Sequence, residues 1–161
     1  MSLINIWNVA TYESKTLFRS WFFRIFSILA LLILFGTNMG FFGAQSDARW
    51  TFRAIAANMP YINVLFINVA QAVIAVFLAS DFLKRDKKLD TTEVIYARPI
   101  TNGEYVVGKT LGILVLFLGL VILALSMSLI FNLLRKDVPV VWEAYVYYPV
   151  LITLPTLVFI L

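Results

Sequence analysis

Long apolar stretches alternate with short polar segments along most of this chain. Apolar runs predict membrane-spanning helices over residues 21–43, 60–80 and 111–134, because about 20 apolar residues in a helix cross the hydrocarbon core of a bilayer. A fourth run, 147–161, is still apolar at the last residue and is shorter than a full crossing needs. We therefore predict an all-α, polytopic membrane helix bundle with an incomplete last span, and we expect the chain to be the N-terminal part of a longer protein.

Residues 3–20 have the three-to-four spacing of an amphipathic helix. Apolar positions such as Trp7 and Phe18 recur on one side, and polar positions such as Lys15 and Arg19 occupy most of the other. Such a helix can lie in the membrane interface with its basic residues toward anionic lipid. It can equally pack its apolar side against the rest of the protein. We assign it as an N-terminal interface helix and leave both arrangements open.

The predicted spans contain a few residues that are unusual in lipid. Asn63, Asn68 and Gln71 interrupt the second span, and the last two share a helix face. A polar side chain in a membrane must face protein or a water-filled path. The three amides therefore predict either interhelical hydrogen bonds, which we favour, or contacts along a substrate conduit. In the first span, the four- and three-residue spacing of Gly36, Gly40 and Gly43 predicts the close approach of another helix.

Composition narrows the classes of function. Of the 161 residues, 61% are hydrophobic and 14% are charged, whereas a soluble domain has about 25% charged residues. The chain has no His and no Cys, which excludes disulfides, thiolate metal sites and the commonest general base. We expect no catalytic residue, no metal site and no cofactor in this chain. A net charge of +4 in a membrane protein indicates topology rather than nucleic-acid binding.

The basic residues predict the orientation in the membrane. Most of the 13 Lys and Arg residues lie in the polar loop 81–110 or just before and at the start of the first span. Segments that stay in the cytoplasm are enriched in Lys and Arg. We therefore place the N-terminus and the loop in the cytoplasm, and the chain in the cell (inner) membrane as a multi-pass protein.

Residues 103–110 of the loop read GEYVVGKT, which satisfies the letters of a phosphate-binding P-loop. A working P-loop follows a buried strand and wraps phosphates with a flexible backbone. Here two of the variable positions are β-branched valines, and Glu104 would place a negative charge beside the phosphates. Thr101 and Glu104 instead predict a capping box that opens the helix of the third span, and Gly108 then allows close packing. We interpret the P-loop match as accidental.

A short helix is predicted inside the loop. Asp90 and Glu93 suit its N-terminal cap, and Pro99 disfavours helix at Arg98. The loop resembles the region between the second and third spans of type-two ABC exporter permeases. The residues that carry this resemblance are Lys84-Arg-Asp-Lys-Lys88, Thr91-Thr92-Glu93, Arg98-Pro99-Ile100 and Gly108-Lys109.

The resemblance implies that residues 1–161 form part of a permease transmembrane domain. Members are similar in having six spans, in pairing two permease domains and in docking an ABC ATP-binding subunit on this loop through a cytoplasmic coupling helix. Polar docking contacts would come from Glu93 and Arg98. The whole docking set would be Asp90, Thr91, Thr92, Glu93, Val94, Ile95, Tyr96, Arg98 and Pro99.

The resemblance implies an ATP-driven permease whose partners are an ATP-binding subunit and a second permease domain, and no nucleic-acid partner. Two other hypotheses remain. The chain could be a non-transporting membrane anchor or assembly subunit whose basic loop only sets topology. An enzyme would need the P-loop match or an unseen C-terminal domain, since these residues offer little catalytic chemistry.

Overall fold

The computed structural model describes residues 2–43, 55–88, 101–134 and 139–161, and the regular secondary structure in these ranges is all helical. The prediction of an all-α helix bundle is therefore confirmed for the described residues. The helices are α1 (Leu3–Arg19), α2 (Trp21–Gly43), α3 (Ile55–Lys88), α4 (Asn102–Leu134), α5 (Trp142–Tyr148) and α6 (Leu154–Ile160), with a π-helical turn at Pro149–Thr153 between the last two.

Within the described residues, four stretches are long and apolar enough to cross a membrane. They are Trp21–Gly40, Asn58–Leu78, Asn102–Leu134 and Trp142–Ile160. Helices α3 and α4 contain 34 and 33 residues, which corresponds to about 50 Å each at 1.5 Å per residue. The hydrocarbon core of a bilayer is only about 30 Å thick. Both helices are therefore longer than the membrane requires.

The helix bounds differ from the apolar runs where polar residues continue a helix. Helix α3 begins at Ile55, so Pro60, the first residue of the apolar run, lies inside the helix. Helix α4 begins at Asn102, nine residues before the apolar run, and the fourth crossing segment begins at Trp142. The reason is that an apolar run reports only the part of a helix that suits lipid, whereas backbone hydrogen bonding continues past it.

The core lies where α2, α3 and α4 meet, and α2 and α3 run antiparallel. Phe22 at the start of α2 packs on Phe77 near the end of α3, with ring centroids 5.3 Å apart. Phe35, farther along α2, meets Phe131 near the end of α4 at 5.5 Å. The most deeply buried apolar residues of this core include Leu34, Ile67, Ile74, Phe117, Val121 and Ala124.

Gly36 and Gly40 of α2 do not mediate packing within the described residues. A Cβ atom built at Gly36 or Gly40 meets no other atom within 4 Å, and both residues are exposed. The close helix approach that we predicted for this glycine pair is therefore not made within the described chain. Glycines at the same spacing on α4 make such an approach instead.

The fourth crossing segment is not a regular α-helix. In the turn Pro149–Thr153, the N–H of Leu154 donates to the carbonyl of Pro149, five residues earlier rather than four. Pro155 has no N–H, so it cannot donate to the carbonyl one turn before it. π-Helical turns are rare and occur frequently at functional sites.

Candidate functional site

Helix α4 opens with a capping box directly after the loop. The N–H of Glu104 donates to Thr101 Oγ1 at 3.3 Å, and the N–H of Thr101 donates to Glu104 Oε2 at 3.2 Å. These contacts satisfy backbone donors that lack partners at the start of a helix. The capping box predicted from the sequence is thus present.

The same carboxylate also holds the start of α1. The backbone N–H of Ser2 donates to Glu104 Oε1 at 2.6 Å, and Asn5 Nδ2 donates to Glu104 Oε2 at 3.4 Å. Glu104 is only 4% exposed. Hydrogen bonds to an ionised acceptor are stronger than neutral ones. One side chain therefore ties the first residues of α1 to the first turn of α4.

Two glycines let α1 lie directly on the backbone of α4. A Cβ atom at Gly108 would come within 2.7 Å of Val9 Cβ, and one at Gly112 within 2.8 Å of the carbonyl oxygen of Ala10. Ser14 Oγ contacts the carbonyl oxygen of Gly112 at 3.1 Å and that of Ala10 at 2.8 Å. Such close backbone contact requires residues without a side chain. We call this arrangement, from Ser2–Glu104 to Ser14–Gly112, the α1–α4 junction.

The two sides of α1 have different surroundings. Its exposed side includes Trp7 and Phe18, which are 68% and 59% exposed. One side of α1 therefore packs on protein and apolar residues remain exposed beside it, and the position of α1 in the membrane interface stays a prediction. The residues of α1 that are buried in the bundle are Ile6, Ala10, Glu13 and Leu17.

Residues 103–110 belong to α4 and do not form a loop around an anion. The helix is continuous from Asn102, so most backbone N–H groups of this segment are used inside the helix. Gly108 faces α1, and Lys109 Nζ lies 5.0 Å from the ring centroid of Tyr105. The letters that imitate a P-loop thus encode a helix cap and a helix contact.

The three amides of α3 have different partners. Asn63 exchanges hydrogen bonds with Asn38 of α2, at 2.8 Å and 3.2 Å. Gln71 Nε2 donates to the backbone carbonyl of Phe117 on α4 at 2.8 Å. Neither amide atom of Asn68 has a hydrogen-bond partner among the described residues, although the residue is only 5% exposed. The first two amides connect helices, and Asn68 does not.

The predicted coupling helix lies outside the described residues. Helix α3 ends at Lys88, and the description resumes at Thr101, where the cap of α4 begins. The structure therefore shows how the loop is anchored at its α4 end, through Thr101 and Glu104. All of the predicted docking residues lie outside the described residues. They are Asp90, Thr91, Thr92, Glu93, Val94, Ile95, Tyr96, Arg98 and Pro99.

Sequence reasoning missed several residues of the junction and the core. Gly112 follows Gly108 by four residues, a spacing that could have suggested a helix contact. Asn38 is a lone amide in the apolar run of α2, which signals a polar partner on another helix. Nothing local in the sequence indicated that Ser2 and Ser14 would bind residues about 100 positions away.

Comparison with known proteins identifies a family. The family model described as ABC-2 family transporter protein matches residues 7–161. The match includes nearly all of α1, the four crossing segments and the loop between α3 and α4. No curated protein and no solved structure matches the chain.

Proposed function

Because this chain belongs to the ABC-2 family of transporter proteins, it is a membrane permease subunit of an ABC transporter, and we propose that it couples ATP hydrolysis in a partner subunit to substrate export. Under this proposal the nucleotide binds to the partner, and this chain supplies part of the translocation domain. Two permease domains pair, and the N-terminus and the loop between α3 and α4 face the cytoplasm of the cell's inner membrane.

The observation that best supports coupling is the α1–α4 junction. The loop leads directly into Thr101, whose N–H is held by Glu104. Glu104 also holds Ser2 of α1. A displacement of this end of the loop would therefore move α4 and α1 together. A partner bound to the loop could therefore displace α1 and α4 together rather than α4 alone.

We propose that residues 90–99 form the coupling helix that contacts the ATP-binding subunit. In this proposal Glu93 and Arg98 make the polar contacts, because charged pairs fix the register of an interface. Three neighbouring residues, Val94, Ile95 and Tyr96, pack into a groove of the partner.

Recovery of the ATP-binding subunit tests this function. The full-length protein is purified in detergent from its own cells, and co-purifying ATP-binding-cassette subunits are quantified for the wild type, Glu93→Lys and Arg98→Glu. We expect a subunit with the wild type and at least a tenfold loss with each variant, because a reversed charge is repelled by its former partner. Glu143→Lys is the matched control, since Glu143 is an exposed acid of α5, far from the loop in sequence.

The control variant should recover as much ATP-binding subunit as the wild type. If a folded wild-type protein with a cytoplasmic loop recovers none, the coupling proposal fails. The chain would then act as a non-transporting anchor or assembly subunit.

A further inference from the structure

In the interior, α3 and the fourth crossing segment contain three side chains with unsatisfied polar atoms. These atoms have no hydrogen-bond partner among the described residues. They are the whole amide of Asn68, Oε1 of Gln71 and Oγ1 of Thr153. Asn68 is 5% exposed, and the other two are fully buried. An unsatisfied polar group costs more in a membrane interior than elsewhere, because no bulk water can reach it.

Two contacts show which side of α3 Asn68 occupies. Tyr61 and Ala75 lie seven residues before and after Asn68, so all three share one helix face. The Tyr61 ring packs against Tyr148 of α5, with centroids 5.3 Å apart. Ala75 lines a cavity together with Ile160 of α6. Asn68 therefore lies on the face of α3 that meets the fourth crossing segment.

Interpolation along both helices between these two contacts brings Thr153 to the level of Asn68. Position 68 is midway between Tyr61 and Ala75, and position 154 is midway between Tyr148 and Ile160. Thr153 is the buried residue next to that midpoint, whereas its neighbour Leu154 is 41% exposed. Two buried side chains with unpartnered polar atoms thus lie at the same level of the bundle.

Gln71 lies one turn farther along the same side of α3. Its Nε2 is used by the carbonyl of Phe117, which leaves Oε1 as an acceptor. Asn68 offers a donor and an acceptor, and Thr153 offers a hydroxyl that can do either. Asn68 is also the central residue of the candidate span Asn58–Leu78, so these groups lie near the middle of the membrane.

The π-helical turn explains why Thr153 is available. A threonine hydroxyl in a helix commonly donates to the carbonyl four residues earlier, as the half-buried Thr156 does with Ile152 at 2.6 Å. Thr153 ends the turn Pro149–Thr153, where the backbone repeat is wider. The hydroxyl of Thr153 has no such bond.

We propose that Asn68, Gln71 and Thr153 surround one buried site that binds water at mid-depth in the bundle. The three side chains are neutral and together provide donors and acceptors, which suits a small neutral ligand rather than an ion. A buried water typically makes about three hydrogen bonds to groups that the protein leaves unsatisfied. This site does not depend on the ATP-coupled function or on the orientation of the chain.

Matched substitutions at position 68 test the site through the melting temperature (Tm) of the full chain in detergent. Alanine is the better helix former, so in a dry site Asn68→Ala is at least as stable as Asn68→Ser. In a hydrated site the serine hydroxyl replaces part of the lost hydrogen bonding, and we expect Asn68→Ser to melt about 2–4 °C above Asn68→Ala. The same pair at Val69, which is 59% exposed, should show no advantage for serine.

A second comparison tests whether Thr153 shares the site. The loss of Tm caused by Asn68→Ala should be at least halved in a Thr153→Val background, because the shared water is already displaced. It should be unchanged in a Thr156→Val background, since Thr156 bonds within its own helix. An Asn68→Ala protein that fails to fold beside a folded Asn68→Ser also supports the site.

Three results would overturn the proposal. One is an Asn68→Ala protein as stable as Asn68→Ser. Another is an equal effect of Asn68→Ala in the two threonine backgrounds. The third is an order of stabilities that reverses when the detergent headgroup is changed, which would assign the ligand to detergent rather than water.

Discussion

The α1–α4 junction and the face of α3 that meets the fourth crossing segment both bury polar side chains, but they satisfy them differently. At the junction, Glu104 binds backbone N–H groups at the starts of two helices, and Ser14 contacts a backbone carbonyl across the helix contact. On α3, Asn68 has no partner among the described residues. The starts of helices offer free backbone groups, whereas the middle of a helix does not.

The pair Asn38–Asn63 shows that a mid-helix amide can also be satisfied within the chain. Each of these amides binds the other, and each donates to the carbonyl four residues earlier on its own helix. Depth in the bundle is therefore not the whole difference. What matters is whether a second side chain of suitable chemistry faces the first.

The junction should be broken most severely by filling the space at Gly112. A Cβ atom there would meet the Ala10 carbonyl oxygen at 2.8 Å, and backbone cannot move aside as a side-chain end can. We expect Gly112→Ala to lower the free energy of unfolding by about 2–3 kcal/mol, measured by unfolding in detergent.

Gly119 provides the control on the same helix. A Cβ atom at Gly119 meets nothing within 4 Å, so Gly119→Ala should stabilise α4 by about 0.5–1 kcal/mol. Equal stability of the Gly112→Ala and Gly119→Ala proteins would show that α1 is not in close contact with α4.

An intermediate effect is expected where a satisfied amide loses its partner. Asn38→Leu leaves the Asn63 amide without its interhelical bonds and should cost about 2 kcal/mol. Replacing both residues by Leu removes the unsatisfied group as well. The double variant should therefore lose less free energy of unfolding than the two single variants lose together, as measured by a double-mutant cycle. Strictly additive losses would contradict the Asn38–Asn63 pairing. Asn63 would then, like Asn68, have no interhelical hydrogen-bond partner.

The smallest effect should come from a single hydrogen bond of the junction. Ser14 Oγ contacts the carbonyl of Gly112 as well as its own helix, whereas Ser126 Oγ donates to Ile122 within its own helix. We expect Ser14→Ala to cost about 1 kcal/mol, and Ser126→Ala to have almost no effect on unfolding. If both variants behave alike, the contact across the junction contributes nothing measurable.

Local patterns in the sequence predicted the spans and the capping box, because both depend on residues close together in the chain. The partners of those residues could not be predicted. Gly36 and Gly40 have the same spacing as Gly108 and Gly112, yet among the described residues only the second pair receives another helix. The deciding factor is which helix faces meet, and that depends on the whole bundle.

The amides of α3 show the same limit. Asn63, Asn68 and Gln71 are alike in sequence, since each is a polar residue in an apolar run. Their surroundings differ because Asn38 binds the first, no described residue binds the second, and a backbone carbonyl of α4 binds the third. The docking role of the loop remains a prediction, because it depends on a second protein.

Only Ser20 separates α1 from α2, and its backbone is extended, with φ −61° and ψ 126°. Arg24 Nε donates to the carbonyl of Phe18 across this connection at 2.9 Å, which restricts the angle between α1 and α2. Glu104 fastens α1 to α4, and Asn38–Asn63 fastens α2 to α3. The four helices are thus joined in series by Ser20, Glu104 and the Asn38–Asn63 pair. We therefore expect a displacement of either end of the loop to be transmitted to all four helices.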